Sequence, residues 1–80
     1  MIVTDPRYLT FERWAALTAA ELSAVGGVPV RASEATWRDW ARKASALPSV
    51  AAAGATREAF FANWRDWALR FNEVLRRVAV

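Results

Sequence analysis

One hexapeptide is written almost identically twice in this 80-residue chain and a third time in weaker form. "TWRDWA" (Thr36 to Ala41) returns as "NWRDWA" (Asn63 to Ala68), and "TFERWA" (Thr10 to Ala15) is the looser copy. The copies start 26 and 27 residues apart, a length that suits one helix plus one link. Each has an N-cap type residue, a leading aromatic (Phe11, Trp37, Trp64), a tryptophan three residues later (Trp14, Trp40, Trp67) and then an alanine. Aromatics at i and i+3 share one helix face, and the alanine leaves room for a neighbouring helix. Three single-helix units are few for a solenoid. The simpler outcome is three helices that press their aromatic faces into one shared core.

Glycine and proline punctuate the chain at "VGGVP" (Val25 to Pro29) and "LPSVAAAGA" (Leu47 to Ala55), with Asp5–Pro6 before the first helix. Between the breaks run three apolar stripes at spacings of three and four: Phe11, Trp14, Ala15, Thr18, Leu22, Val25; then Trp37, Trp40, Ala41, Ala44, Leu47; then Phe60, Trp64, Trp67, Ala68, Phe71, Leu75, Val78. No alternating strand pattern competes with them. The expectation is an all-α domain over residues 1–80, with helices near 8–25, 33–46 and 56–78 and a core of Phe11, Trp14, Trp37, Trp40, Trp64, Trp67 and Phe71. Trp40 and Trp67 are expected to pack on each other's helices. Starts at Ser33 and Thr56, favoured by the helical residues that follow them, put the repeat in the second turn, so that Thr36 and Asn63 are not caps. The rival reading starts the helices at the repeats and makes those residues caps.

Eighty residues bury only roughly 60% of their unfolded surface, so a chain this short commonly needs a staple. It has no cysteine and no histidine, which excludes disulfides, thiolate chemistry and zinc sites of the usual kind. Stability is left to the five Trp, four Phe and one Tyr. Each fully buried large side chain contributes about 2–3 kcal/mol. An aromatic stripe at helical spacing is read here as core rather than as a cage for a cationic ligand.

Catalytic residues, cofactor and metal are not expected. There is no Gly-rich phosphate loop. The eight carboxylates each have an arginine within a few residues, and Arg38–Asp39 and Arg65–Asp66 read as solvated pairs. The net charge of +3 is spread without a clustered stripe; Arg76–Arg77 suits a helix C-terminus. A helix-turn-helix over Glu21 to Lys43 would offer Arg38, Arg42 and Lys43 to DNA. Its turn is long and contains Pro29, and Trp37 and Trp40 need burial. No segment has the run of apolar residues a membrane span needs, and the N-terminus lacks the pattern of an export signal. The uncharged link Pro48 to Ala55, above all Val50, Ala51, Ala52 and Ala53, either lies against a larger partner or wraps over the chain's own core.

The pattern "DPRYLTFERWA…TWRDWA…NWRDWALRF" resembles small proteins encoded among the virion genes of tailed, especially short-tailed, bacteriophages, which carry an Asp-Pro-Arg start and repeated Trp-x-x-Trp-Ala units. The matching residues are Asp5, Pro6, Arg7, Phe11, Trp14, Trp37, Trp40, Trp64 and Trp67, with Phe11 where the first copy lacks a tryptophan. The resemblance implies a structural protein of the virion, made in the host cytoplasm and placed at the head–tail connector or tail. It would bind larger virion proteins (portal, adaptor or tail components) in multiple copies, without membrane or sequence-specific nucleic acid. The competing functions are a DNA-binding regulator and a phage inhibitor of a host protein.

Overall fold

Each long helix starts where a cap or a tight turn ends an extended stretch of chain. The computed structural model describes residues 1–55 and 57–78. Among these residues there are four α-helices and no strand: α1 (Phe11–Leu22), α2 (Trp37–Ser45), α3 (Pro48–Ala52) and α4 (Trp64–Leu75). Short 3₁₀ turns at Ser23–Val25, Glu34–Thr36 and Glu58–Phe60 extend α1 and lead towards α2 and α4. The protein is all-α. No helix is long and apolar enough to cross a membrane among the described residues.

The helices are shorter than the spans 8–25, 33–46 and 56–78. Residues 8–10 are not helical, because Asp5 Oδ1 accepts from the Arg7 N–H (2.9 Å) and the Leu9 N–H bonds back to the Pro6 carbonyl (3.3 Å). Thr10 then stays extended, and its Oγ1 accepts from the Arg13 N–H at 3.2 Å. Before α4 the helix breaks at Phe61 (φ −120°, ψ 139°), and Asn63 Oδ1 accepts from the Asp66 N–H at 2.9 Å. The start expected at Thr56 lies outside the described residues. Thr10 and Asn63 therefore are caps, which satisfy N–H groups that no helix turn can reach. Thr36 is not; its hydroxyl lies 3.0 Å from Ser33 Oγ and makes no cap bond. The Pro48 link is a helix, α3, with proline at the helix start where its missing N–H costs nothing.

The repeat builds a closed ring. The second tryptophans, Trp14, Trp40 and Trp67, all touch one another edge to face, with centroid separations of 5.4, 6.2 and 5.8 Å for Trp14–Trp40, Trp40–Trp67 and Trp14–Trp67. Each leading aromatic packs on the second tryptophan of the following copy: Phe11 on Trp40 (5.8 Å), Trp37 on Trp67 (6.0 Å), and Trp64 back on Trp14 (6.0 Å). The order runs one to two, two to three, three to one, a pseudo-threefold arrangement within a single chain. Pairs of this geometry contribute about 0.5–1.5 kcal/mol each beyond the area they bury. Ala15, Ala41 and Ala68, which follow the three tryptophans, are fully buried, so the backbones approach closely around the rings.

Buried indoles also need hydrogen-bond partners. Trp14 Nε1–H donates to the Thr4 carbonyl (2.9 Å) and Trp40 Nε1–H to the Pro29 carbonyl (2.8 Å). Asn72 on α4 donates to the same Thr4 carbonyl (2.7 Å), which ties the N-terminal segment to both α1 and α4. After α1 the chain reverses at Gly26 (φ 135°), and the Gly27 N–H reaches the Leu22 carbonyl at 2.9 Å. The positive φ favours glycine there, and a Cβ at Gly26 would also sit 3.0 Å from Leu47 Cδ2, which would have to give way by a few tenths of an ångström.

Candidate protein-contact surface

The third residue of each copy holds the chain that leads into the next. In copy two, the Arg38 guanidinium lies over the Trp37 ring (4.5 Å) and donates from Nη1 to the Glu58 carbonyl and from Nη2 to the Phe61 carbonyl, both at 2.9 Å. In copy three, Arg65 lies over Trp64 (4.7 Å) and donates from Nε to the Pro6 carbonyl (3.2 Å) and from Nη2 to the Leu9 carbonyl (2.8 Å). Both arginines span carbonyls three residues apart on a turn closed by its own backbone bond, Phe61 N–H to Glu58 and Leu9 N–H to Pro6. The planar guanidinium fork suits such a pair of acceptors. In copy one the equivalent residue is Glu12, and the polarity reverses: its Oε1 accepts from the Glu34 N–H at 3.2 Å, on the turn that leads into α2.

Arg38 and Arg65 therefore do not pair with the aspartates beside them, contrary to the expected solvated Arg–Asp pairs. Asp39 pairs with Arg42 (3.0 Å), and Asp66 accepts from the side-chain amide of Asn63 (3.0 Å). Among the described residues no carboxylate contacts either guanidinium.

The two turns held by arginine carry the most exposed aromatics of the molecule. Tyr8 is 89% exposed and Phe60 77%. They occupy the same place, two residues into their turns. Phe60, expected on the buried stripe of the third helix, instead points to solvent because the helix breaks after it. The corresponding residue of the third turn is Ala35, also exposed. Ile2 and Val30 are exposed singly, as scattered surface apolar residues commonly are.

Phe11, Trp14, Trp37, Trp40, Trp64, Trp67 and Phe71 are all buried in the ring and the helix faces around it. Of the expected link surface, Val50 is fully buried in the chain's own core and is not available to a partner, because α3 turns its apolar side inward. Ala51 and Ala52 are exposed and Ala53 is half-buried. Arg42 is taken up by Asp39 and by Glu58 (2.8 Å), Lys43 is exposed, and Arg76 and Arg77 follow α4 in solvent.

Little of the surface has the makings of a chemical site. A groove of about 340 Å³ lined by Arg42, Arg57, Glu58, Ala46 and Ala51 has its Arg42–Glu58 pair already satisfied. No group of three or more acidic side chains is placed to hold a metal ion among the described residues. The Arg7 guanidinium holds the Asp5 carboxyl below its ordinary range by hydrogen bonds from its side chain and backbone, and Asp5 raises Arg7 in return. Both groups are exposed on the turn that carries Tyr8. Compared with known proteins, the chain matches no family model, no curated protein and no solved structure.

Proposed function

We propose that this chain is a small structural protein of a tailed bacteriophage particle, associated with the head–tail connector or the tail, and that it acts by protein–protein contact. The reading takes its identity from the resemblance carried by Asp5, Pro6, Arg7 and the tryptophan repeats. Its mode of action is supported by one observation. The side chains that recur in the repeats are spent on the chain's own ring and turns, while Tyr8 and Phe60 stand in solvent on turns whose carbonyls accept hydrogen bonds from Arg65 and Arg38. An aromatic on a fixed turn loses little further entropy on docking, which is what a contact residue needs. The partners are larger virion proteins, and binding to the assembled particle would add the stability a chain of this size lacks alone.

The DNA-binding alternative has less support. Residues 23–36 separate α1 from α2, far more than a helix-turn-helix turn. Of the candidate readers, Arg38 and Arg42 are engaged with Glu58, Phe61 and Asp39, and Lys43 is exposed. Mass spectrometry of purified particles tests the proposal: the chain is expected at fixed stoichiometry, and its absence from complete particles would overturn the structural reading.

A further inference from the structure

The three turns that lead into α1, α2 and α4 have matching places in the ring but opposite charge. The turns at Pro6–Leu9 and Glu58–Phe61 each combine an exposed aromatic with a guanidinium, Arg65 or Arg38, that has no carboxylate partner among the described residues. The turn at Ser33–Thr36 has Ala35 in the aromatic's place, and Glu12 and Glu34 beside it have no cation partner among the described residues. From this complementarity we infer that these turns dock on a second copy of the chain, with the Glu12–Glu34 turn of each copy against an aromatic, arginine-held turn of the other.

The cyclic packing that relates the three copies relates the three turns in the same way, each held by the third residue of the preceding copy. Two copies can meet about a twofold axis so that acidic turn faces aromatic turn twice, and an interface of that kind closes at a dimer. The small Ala35 leaves space where the partner's Tyr8 or Phe60 would lie. The carbonyl bonds of Arg38 and Arg65 orient the guanidinium without neutralising it, so the positive charge remains to attract a carboxylate. The dimensions limit the strength. The molecule measures 28 × 24 × 19 Å, so any one face offers little more than the about 500 Å² per partner that the smallest specific interfaces bury. The dimer is therefore weak and steered by charge. Self-association of this kind does not depend on the particle reading.

Sedimentation equilibrium of the full chain over a wide concentration range, in about 0.05 M and about 0.5 M salt, tests it. The expected result is a monomer–dimer equilibrium that weakens at the higher salt. Glu34→Lys, and separately the pair Tyr8→Ala with Phe60→Ala, should each weaken the dimer by about tenfold or more. Because these side chains are exposed, the helical circular-dichroism signal and the melting temperature of the variants should stay those of the parent. A chain that remains monomeric to about 1 mM overturns the inference and leaves these turns to a different macromolecule. A dimer that forms equally well in both variants also overturns it, because it would then use another face.

Discussion

Arg65 donates a hydrogen bond to the carbonyl of Pro6, 59 residues earlier in the chain. With the second bond to Leu9, it fastens the third copy of the repeat to the first and closes the ring. Arg65→Ala removes both bonds and the stacking on Trp64. Hydrogen bonds from a charged donor contribute about 1.5–3 kcal/mol in general, and partial exposure places the loss here near about 2 kcal/mol. For a domain of this size that lowers the melting temperature by about 8–16 °C. Arg65→Lys should recover only part of it, because an ammonium cannot span two carbonyls as a planar fork does. Thermal unfolding of the two variants, with Arg38→Ala for comparison, checks this.

The caps differ although their sequences look alike. Asn63→Ala loses the bond to the Asp66 N–H and should cost about 1 kcal/mol. Thr36→Ala loses an exposed hydroxyl that contacts the Ser33 hydroxyl (3.0 Å) and donates to the Ser33 carbonyl (3.3 Å), and should cost a few tenths of a kcal/mol, on the order of a surface substitution. Denaturant titrations of both variants separate the two; equal losses would contradict the cap assignment.

Which of these features a sequence can disclose follows from how local they are. The all-α class rests on i, i+3 and i, i+4 spacing, which is local and legible. The aromatic spacing marks Trp14, Trp40 and Trp67 for one buried face of each helix, and all three are buried. The cap at Asn63 was equally present in the letters, but good helix formers upstream compete with it, and the winner depends on where the carbonyls of Glu58 and Phe61 find a donor. That donor is Arg38, 20 and 23 residues away, which no local pattern reveals. The same non-locality hides Tyr8 and Phe60 as a pair and the role of Glu12. Leu47–Pro48 did carry the signal for α3, since proline favours a first helical turn, but the small residues after it read equally well as a link.

Thr18 on α1 is 2% exposed, and its hydroxyl has no hydrogen-bond partner among the described residues. An unsatisfied buried polar group costs about 1–3 kcal/mol. Thr18→Val keeps the shape and removes the hydroxyl, so it should raise the stability by about 1 kcal/mol within that range. A loss in chemical denaturation would mean that the hydroxyl is bonded in solution.

The two faces of α3 should respond in opposite ways. Ala52→Glu adds a charge to an exposed position and should leave the melting temperature within about 2–4 °C of the parent, as surface changes within about 0.5 kcal/mol do. Val50→Asp puts an unpaired charge into the core and should unfold most of the protein at room temperature, because total stability at this size is only about 5 kcal/mol. Circular dichroism at 222 nm on both variants reads the difference directly.

The ring itself is tested most directly by nuclear Overhauser spectroscopy between the indole protons of Trp14, Trp40 and Trp67. These residues are widely separated in sequence, and edge-to-face packing at centroid distances of 5.4 to 6.2 Å brings ring protons of every pair within range. Cross-peaks between all three pairs are predicted. A folded, helical protein in which the Trp14–Trp67 cross-peak is missing would contradict the closed ring, because that contact joins the third copy to the first.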